Sequence, residues 1–258
     1  MSKEKTMGIA VLTGGSSGIG QAAAIRIAER GNSVILTYNT NPEGAKETVT
    51  AIEANGGSAV ALQLDVSLTE TFPSFTEQVR ELVRDRWQSD SIDYLANNAG
   101  FARQDFFADV PQDLFESFFR VIMRGPYFLT QTLLPLIADG GAIVNTTSNS
   151  ALPTGVTAGY SAYASMKGGL ITISRYLAKE LAPRRIRVNS VSPGSTRTRI
   201  ANDAFARFPE VIPGIAAETA FGRVGEADDI GKVIAALLSD DFAWVTGENI
   251  EASGGYHL

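Results

Sequence analysis

The sequence has no cysteine and only one histidine, His257, in its 258 residues. Without cysteine, disulfide bonds and thiolate metal sites are excluded. A single histidine cannot build a histidine metal cluster, and its place next to residue 258 argues strongly against a Ser/His/Asp triad. We therefore expect no metal site, and much of hydrolase chemistry is excluded.

Positive charge is also scarce, because 22 Lys and Arg face 28 Asp and Glu, for a formal net charge of -6. Proteins that bind nucleic acid need a basic surface to neutralise phosphates, and none is visible here. The apolar run after the charged first hexapeptide is too short for a signal segment or a membrane span. We expect a cytoplasmic protein with neither nucleic-acid nor membrane partners.

Apolar β-branched runs alternate along the chain with longer amphipathic stretches. This alternation is typical of repeated β-α-β units and a parallel sheet. No linker or repeat divides the chain, so we predict one domain over residues 1–258. The predicted strands cover residues 8–13, 33–38, 59–65, 92–98, 142–148, 186–192 and 248–253. The predicted helices cover residues 18–30, 42–55, 68–87, 111–138, 160–182 and 226–238. Residues 196–225, rich in Pro, Gly and Phe, are predicted to form a partly mobile flap.

The first predicted strand runs into "TGGSSGIG", residues 13–20. Gly14, Gly18 and Gly20 permit a tight turn, and the following helix offers free N–H groups to a phosphate. Sites that prefer NAD usually carry an acidic residue after the second strand, and residues 31–42 contain none. This absence favours NADP over NAD, with polar contacts available from Asn39, Thr40 and Asn41.

A tyrosine and a lysine lie four residues apart in "YSAYASMKGG", residues 160–169. Tyr163 and Lys167 share a helix face, and a nearby ammonium lowers a phenol pKa toward the working range of an acid/base catalyst. Tyr160 has Ala164 at that spacing and cannot form such a pair. The third candidate is Ser148 after the fifth predicted strand, with Ser150 as a rival.

Taken together, these motifs resemble the short-chain dehydrogenase/reductase family, in family order over residues 8 to 255. The matching segments are "TGGSSGIG", "LQLDVS" at 62–67, "NNAG" at 97–100, "NTTS" before "YASMK", "VNSVSPGSTRT" at 188–198, residues 222–250 and the final "ASGG". The resemblance implies a Rossmann-like, doubly wound fold with a seven-stranded parallel sheet and helices on both faces. It also implies a homo-oligomer, commonly a tetramer or dimer.

The resemblance implies a role for each matching residue. Tyr163 would exchange the proton, Lys167 would hold the nicotinamide ribose and lower the pKa of Tyr163, and Ser148 would polarise the substrate carbonyl. The cofactor pyrophosphate would be held by Gly14, Ser16, Ser17, Gly18, Ile19 and Gly20. The adenine would contact Asp65 and Val66, and the adenosine ribose would contact Asn98, Ala99 and Gly100. The nicotinamide carboxamide would be lined by Pro193, Gly194, Thr196 and Thr198. Asn39 would lie near the 2′-phosphate.

Two features depart from the family pattern. Similar proteins carry Asn in V-N-x-x-G, where it helps to hold a water of a proton relay, and this chain has Ile122 there. The segment between Ser148 and Tyr163 is also about two residues longer than is common. We expect an NADP-dependent enzyme that interconverts an alcohol and a ketone or aldehyde, 3-oxoacyl compounds among them, by hydride transfer. The alternative is a dinucleotide-binding sensor or scaffold in which Ile122 leaves only weak catalysis.

Overall fold

The computed structural model describes residues 8–258, apart from the side chains of residues 201, 202 and 204. The strands of this part of the chain are β1 Ile9–Leu12, β2 Ser33–Tyr38, β3 Ala59–Gln63, β4 Ile92–Asn97, β5 Ile137–Thr146, β6 Arg187–Pro193, β7 Thr196–Arg197, β8 Gly225–Glu226 and β9 Asn249–Ala252. Seven of them form a parallel sheet in the order β3-β2-β1-β4-β5-β6-β9. This confirms the predicted α/β fold. The single predicted domain includes residues 1–7, which lie outside the described residues, and stays a prediction.

Helices cover both faces of the sheet, as the doubly wound fold requires. They are α1 Gly18–Glu29, α2 Pro42–Ala54, α3 Phe72–Trp87, α4 Gln112–Phe118, α5 Gly125–Leu133, α6 Ser161–Glu180, α7 Ile200–Arg207, α8 Ile212–Ala217 and α9 Ala227–Leu238. Within residues 8–258, no helix combines the length and the apolar character needed to cross a bilayer.

Two hydrophobic cores result from the alternation of side chains along the strands. On β1, Ile9 and Val11 join the core that contains α3, α5 and α6, while Ala10 and Leu12 join the core of α1, α2 and α9. Successive strand residues point to opposite faces, so a strand covered on both sides must be apolar throughout. All four residues of β1 are buried accordingly.

The strand order reverses direction beside β1. From β1 the chain builds outward through β2 to β3, and it then returns to place β4 on the other side of β1. The carboxyl ends of β1 and β4 therefore open into the crevice where doubly wound sheets bind ligands. Thr13 and Asn98 follow these two strands and mark the floor of that crevice.

Several predicted boundaries are wrong, most clearly that of the helix at 111–138. The structure divides this stretch into α4, a π-helical turn at Phe119–Arg124, α5 and a 3₁₀ turn at Leu134–Leu136. Pro135 has no backbone N–H and stops the helix, so β5 begins at Ile137 instead of residue 142. It also ends at Thr146, two residues before Ser148.

The flap, residues 196–225, is more regular than its composition indicated. It contains α7 and α8, and its base is closed where β7 pairs with β8. The backbone N–H of Gly225 also donates to the carbonyl of Ser195 at 2.9 Å. The flap is therefore a loop with fixed ends that lies beyond the carboxyl end of β6.

Candidate active site

The glycine loop, residues 13–20, turns sharply between β1 and α1. Gly14 has a φ of +72°, and a Cβ there would lie 2.9 Å from the Cα of Ala99. A Cβ on Gly20 would collide with the carbonyl oxygen of Gly14. The first turn of α1 has no side-chain cap from Ser17, so its N–H groups face the crevice with the positive end of the helix dipole. The loop, with Ser16, Ser17, Gly18 and Ile19, fits a pyrophosphate.

Hydrogen bonds join the glycine loop to the segment after β4. The hydroxyl of Thr13 accepts from the backbone N–H groups of Asn98 and Ala99, both at 3.0 Å. The side-chain amide of Asn98 donates to the carbonyl of Thr13 at 3.1 Å. A Cβ on Gly100 would lie 3.7 Å from Nζ of Lys167, so this segment connects the phosphate end of the crevice with the buried lysine.

At the end of β2, the two asparagines have different surroundings. The side chain of Asn41 accepts from the N–H of Gly44 and donates to the carbonyl of Ser16, so it caps α2 and fixes the glycine loop. Asn39 is bound through its backbone carbonyl, which accepts from Gln63 at 3.1 Å. Asn41 therefore has a structural role that its place in the sequence does not reveal.

The other predicted cofactor residues lie along the same edge of the sheet. Asp65 follows β3, and its carboxylate accepts from the N–H of Ser67 at 2.9 Å. Val66, next to it, is buried, and a Cβ on Gly125 would collide with its carbonyl oxygen. The segment after β3 is therefore held against the start of α5.

Beyond β6, Pro193 and Gly194 lead into the flap. A Cβ on Gly194 would lie 2.8 Å from Ser253, and the hydroxyl of Thr196 donates to the carbonyl of Gly194 at 2.9 Å. Thr198 reaches back toward the glycine loop, where its Cβ lies 3.2 Å from the position that a Cβ on Gly18 would take. The start of the flap thus closes over the phosphate end of the crevice.

Ser148 lies beside Tyr163, close enough for its hydroxyl to lower the pKa of the phenol. The Ser148 hydroxyl also accepts from the hydroxyl of Ser150 at 2.8 Å and from its N–H at 3.2 Å. Ser150, the sequence rival of Ser148, is therefore a hydrogen-bond partner of Ser148. Two serines with one residue between them give no sequence signal for this arrangement, because either residue could have faced the tyrosine.

Lys167 is one turn beyond Tyr163 on α6 and is only 4% exposed. Its Nζ lies 5.7 Å from the centre of the Tyr163 ring and donates to the carbonyl of Thr146 at 2.7 Å. Burial lowers the pKa of Lys167 to about 8, because the charged form loses hydration. The ammonium is thus fixed between the end of β5 and the phenol.

The pKa of Tyr163 moves opposite to the sequence expectation. Burial raises it to about 12, the hydrogen bond with Ser148 opposes this rise, and the neighbouring Tyr160 adds to it. Lys167 does not reverse the direction, since both groups lie in the same desolvated cluster and its hydrogen bond goes to Thr146. In this structure the phenol is a protonated group at neutral pH.

Ile122 contributes to that desolvation. It is 1% exposed, lies in the π-helical turn, and belongs to the buried cluster that includes Phe118, Tyr163 and Met166. π-Helical turns inside α-helices often occur at functional sites. Ile122 therefore forms part of an apolar wall beside the catalytic tyrosine candidate.

Aromatic rings extend this wall toward the surface. Phe101 stacks on Phe118 with ring centres 4.8 Å apart, and Tyr160 meets Tyr163 edge to face at 6.2 Å. Phe106 is exposed at the mouth, in the same loop as Asp105, whose N–H donates to the carbonyl of Gly159. The substrate side of the crevice is therefore apolar and rich in rings.

Across residues 8–258, no three His, Asp or Glu side chains form a group suited to a metal ion.

Comparison with known proteins places the chain among oxidoreductases. The family described as Enoyl-(Acyl carrier protein) reductase matches residues 14–257. An uncharacterized oxidoreductase of Methylorubrum extorquens is 41% identical, over 96% of each chain. The promiscuous reductase LugOII, which catalyses keto-reduction at C1 during lugdunomycin biosynthesis, superposes with a TM-score of 0.92 at 33% identity and covers 99% of this chain and 100% of its own. The angucycline C-6 ketoreductase LanV, solved with bound NADP, has a TM-score of 0.88 at 32% identity and covers 97% and 95%.

Proposed function

Because this chain belongs to the short-chain dehydrogenase/reductase family and is an NAD(P)-dependent enzyme of that family, we propose that it is an NADP-dependent ketoreductase with Tyr163 as the proton donor. The observation that carries the proposal is the placement of Ser148 beside the buried Tyr163, with Lys167 one helical turn away. This group lies in the same crevice as the glycine loop. Hydride and proton could therefore reach one carbonyl together.

The crevice fits a dinucleotide. Two glycines of the loop have no room for a side chain because the chain's own backbone packs against them, and this tight turn leads directly into the start of α1. We propose that Gly14–Gly20 hold the pyrophosphate, that Asp65 and Val66 face the adenine, and that Asn98–Gly100 face the ribose. Pro193, Gly194, Thr196 and Thr198 would line the carboxamide. NADP is favoured over NAD because no carboxylate follows β2 to repel a 2′-phosphate, and LanV was solved with NADP.

NADPH, when bound, supplies the hydride that reduces the carbonyl carbon. Tyr163 donates its phenolic proton to the carbonyl oxygen, and the Ser148 hydroxyl donates a hydrogen bond that holds that oxygen in place. Ser150 keeps the Ser148 hydroxyl oriented. Lys167 places a positive charge next to the phenolate that forms, so it stabilises the product state of the proton transfer.

The raised pKa of Tyr163 supports reduction as the favoured direction. A phenol with a pKa of about 12 is protonated at neutral pH and is ready to give a proton. Alcohol oxidation needs the phenolate instead, which burial disfavours. Ketone reduction therefore uses the protonated form of Tyr163, which predominates near neutrality, and alcohol oxidation is favoured by higher pH.

We propose an apolar ketone that carries rings as the substrate. The walls formed by Phe101, Phe118 and Tyr160 offer ring faces and edges, and they provide few polar partners for a small hydrophilic molecule. LugOII and LanV, which resemble this chain in structure, are both named for keto-reduction. A 3-oxoacyl thioester is the second candidate, because the matching family is described by acyl carrier protein substrates.

We also propose a homo-oligomer. Five partly exposed aromatic side chains lie on α6 and on the neighbouring helices α4 and α5 with the π-helical turn between them. They are Phe115, Phe119, Tyr127, Phe128 and Tyr176, and we call them the aromatic group. Exposed rings on adjacent helices are typical of an interface between proteins.

The test is a panel of carbonyl compounds with NADPH and with NADH, followed by cofactor absorbance. The panel contains fused-ring ketones, a 3-oxoacyl thioester and a simple aldehyde. We expect turnover with NADPH, fastest on the ring ketones. The alternative function, a dinucleotide sensor with little catalysis, is favoured by the apolar wall at Ile122. NADPH binding without turnover on any compound would establish that alternative and refute the ketoreductase.

A further inference from the structure

Residues 254–258 bind the outer end of the flap through their backbone. The N–H groups of Ala220 and Phe221 donate to the carbonyls of Gly255 and Gly254, both at 3.1 Å, and the N–H of His257 donates to the carbonyl of Glu218 at 3.0 Å. Gly254 and Gly255 have φ values of +66° and +76°, and a Cβ on Gly255 would lie 2.8 Å from that of Ala220. Only glycine permits so close an approach. We call residues 254–258 the clamp.

The side chain of His257 connects two segments that border the active site. Its Nδ1 lies 2.8 Å from the carbonyl oxygen of Thr154, in the loop between Ser148 and Tyr163. Its Nε2 lies 3.1 Å from Oε2 of Glu218, where the flap leaves α8. The backbone of His257 has a φ of +54°, a left-handed conformation that is uncommon outside glycine. The two hydrogen bonds of the imidazole compensate for this unfavourable backbone conformation.

Both partners of His257 are acceptors, a backbone carbonyl and a carboxylate, and each can take an N–H from the imidazole. The other ionisable groups nearby are Tyr256, which stacks on the imidazole at 3.9 Å and donates to the same carboxylate of Glu218 at 3.0 Å, and Glu251, which accepts from the hydroxyl of Thr154.

We propose that the clamp holds the flap against the loop between Ser148 and Tyr163, and that His257 is the positioning residue that fastens it. This inference rests on the proposed function, because it assigns to the clamp the closure of that same substrate site. His257 touches neither the cofactor residues nor the reacting groups described above. Its bond to Thr154 holds the loop that follows Ser148, and its bond to Glu218 holds the flap. Loss of the clamp therefore weakens substrate binding and leaves the proton transfer intact.

Two variants of His257 test the proposal through the split between KM and kcat. The contacts are half exposed, so His257→Ala should raise the KM of a ketone substrate about three- to ten-fold and change kcat less than about two-fold. His257→Gln keeps one N–H donor toward either partner and should restore part of the loss.

Hydrogen exchange of the flap and of residues 149–160 provides a readout independent of turnover. His257→Ala should increase exchange in both segments, and NADPH affinity should stay unchanged. Glu53→Gln, which removes a carboxylate from the exposed pair with Arg86, is the matched control and should change neither exchange nor KM. Unchanged exchange and KM in His257→Ala would overturn the proposal, as would a fall in kcat at constant KM. If the wild type reduces no carbonyl compound, the ketoreductase assignment fails, while the exchange data still decide whether the clamp exists.

Discussion

The ammonium of Lys167 lies 5.7 Å from the centre of the Tyr163 ring and donates to the carbonyl of Thr146 at 2.7 Å. Both side chains are buried, and burial moves their pKa values toward the uncharged forms, to about 8 for the lysine and about 12 for the tyrosine. The helix therefore keeps two reactive groups in a site where loss of hydration disfavours both of their ions. The loss of stability caused by burying Lys167 and the contribution of Lys167 to catalysis can be measured separately.

Tyr163→Phe removes the hydroxyl proposed to give the proton. We expect turnover of ketones to fall about 10²- to 10⁴-fold, the usual contribution of general acid catalysis. NADPH should bind with nearly the same affinity, because the glycine loop is untouched, and fluorescence titration measures this. The matched control is Tyr160→Phe, which should retain turnover within a few-fold. Survival of most activity in Tyr163→Phe would refute the mechanism.

Lys167→Met should make the protein more stable while it removes activity. A fall in pKa from 10.5 to about 8 corresponds to about 3 kcal/mol of destabilisation at neutral pH, and the lost bond to Thr146 returns about 1 kcal/mol. Between about pH 8 and 10.5 the unfolded chain binds more protons at this lysine than the folded one. The stability of the wild type therefore rises with pH relative to the variant in that window.

Denaturant unfolding of both proteins at several pH values checks this. The stability advantage of Lys167→Met should be largest below about pH 8 and should shrink as the pH approaches 10.5. A constant difference across this range would show that Lys167 does not change its protonation on burial as argued. A variant less stable than the wild type at pH 7 would show that the bond to Thr146 outweighs the burial of charge.

Ile122→Asn restores the amide found in the family pattern. We expect turnover to rise, because an amide can help hold the relay water that resupplies the proton of Tyr163. Stability should fall by about 1 to 3 kcal/mol, since a polar group replaces an apolar one in the cluster with Phe118 and Met166. Ile122→Val controls for the loss of volume alone. Unchanged turnover on every carbonyl substrate would show that Ile122 is only a packing variation.

The sequence predicted much of this site because the relevant information is local. The strand, glycine turn and helix around Gly14–Gly20 follow from backbone sterics, and the spacing of Tyr163 and Lys167 follows from helix geometry. The pKa of Tyr163 did not follow, because burial depends on rings from α4 and on Ile122, which the fold brings to α6. The π-helical turn and the hydrogen bond between His257 and Thr154 also depend on tertiary contacts. His257 and Thr154 are 103 residues apart in the sequence.

Asn39→Asp tests the preference for NADP. A carboxylate after β2 would bond a ribose 2′-hydroxyl and repel a 2′-phosphate, so the ratio of NADPH to NADH efficiency should fall at least about ten-fold. The control is Asn55→Asp, which makes the same change of charge at the other end of α2 and should leave the ratio unchanged. Binding of the two cofactors by titration, together with kcat/KM for each, provides the measurement. An equal shift in both variants would point to net charge and not to the site.

The aromatic group on α4, α5 and α6 predicts how the chain assembles. Partly exposed rings on adjacent helices become buried when a second copy covers them, and a charge placed among them would then lose its hydration. We expect light scattering to show a dimer or tetramer for the wild type and a smaller species for Tyr127→Glu. Phe107→Glu, which changes an exposed ring in the loop after β4, should keep the wild-type mass. A monomeric wild type would refute the assembly, and equal dissociation in both variants would mean that the interface lies elsewhere.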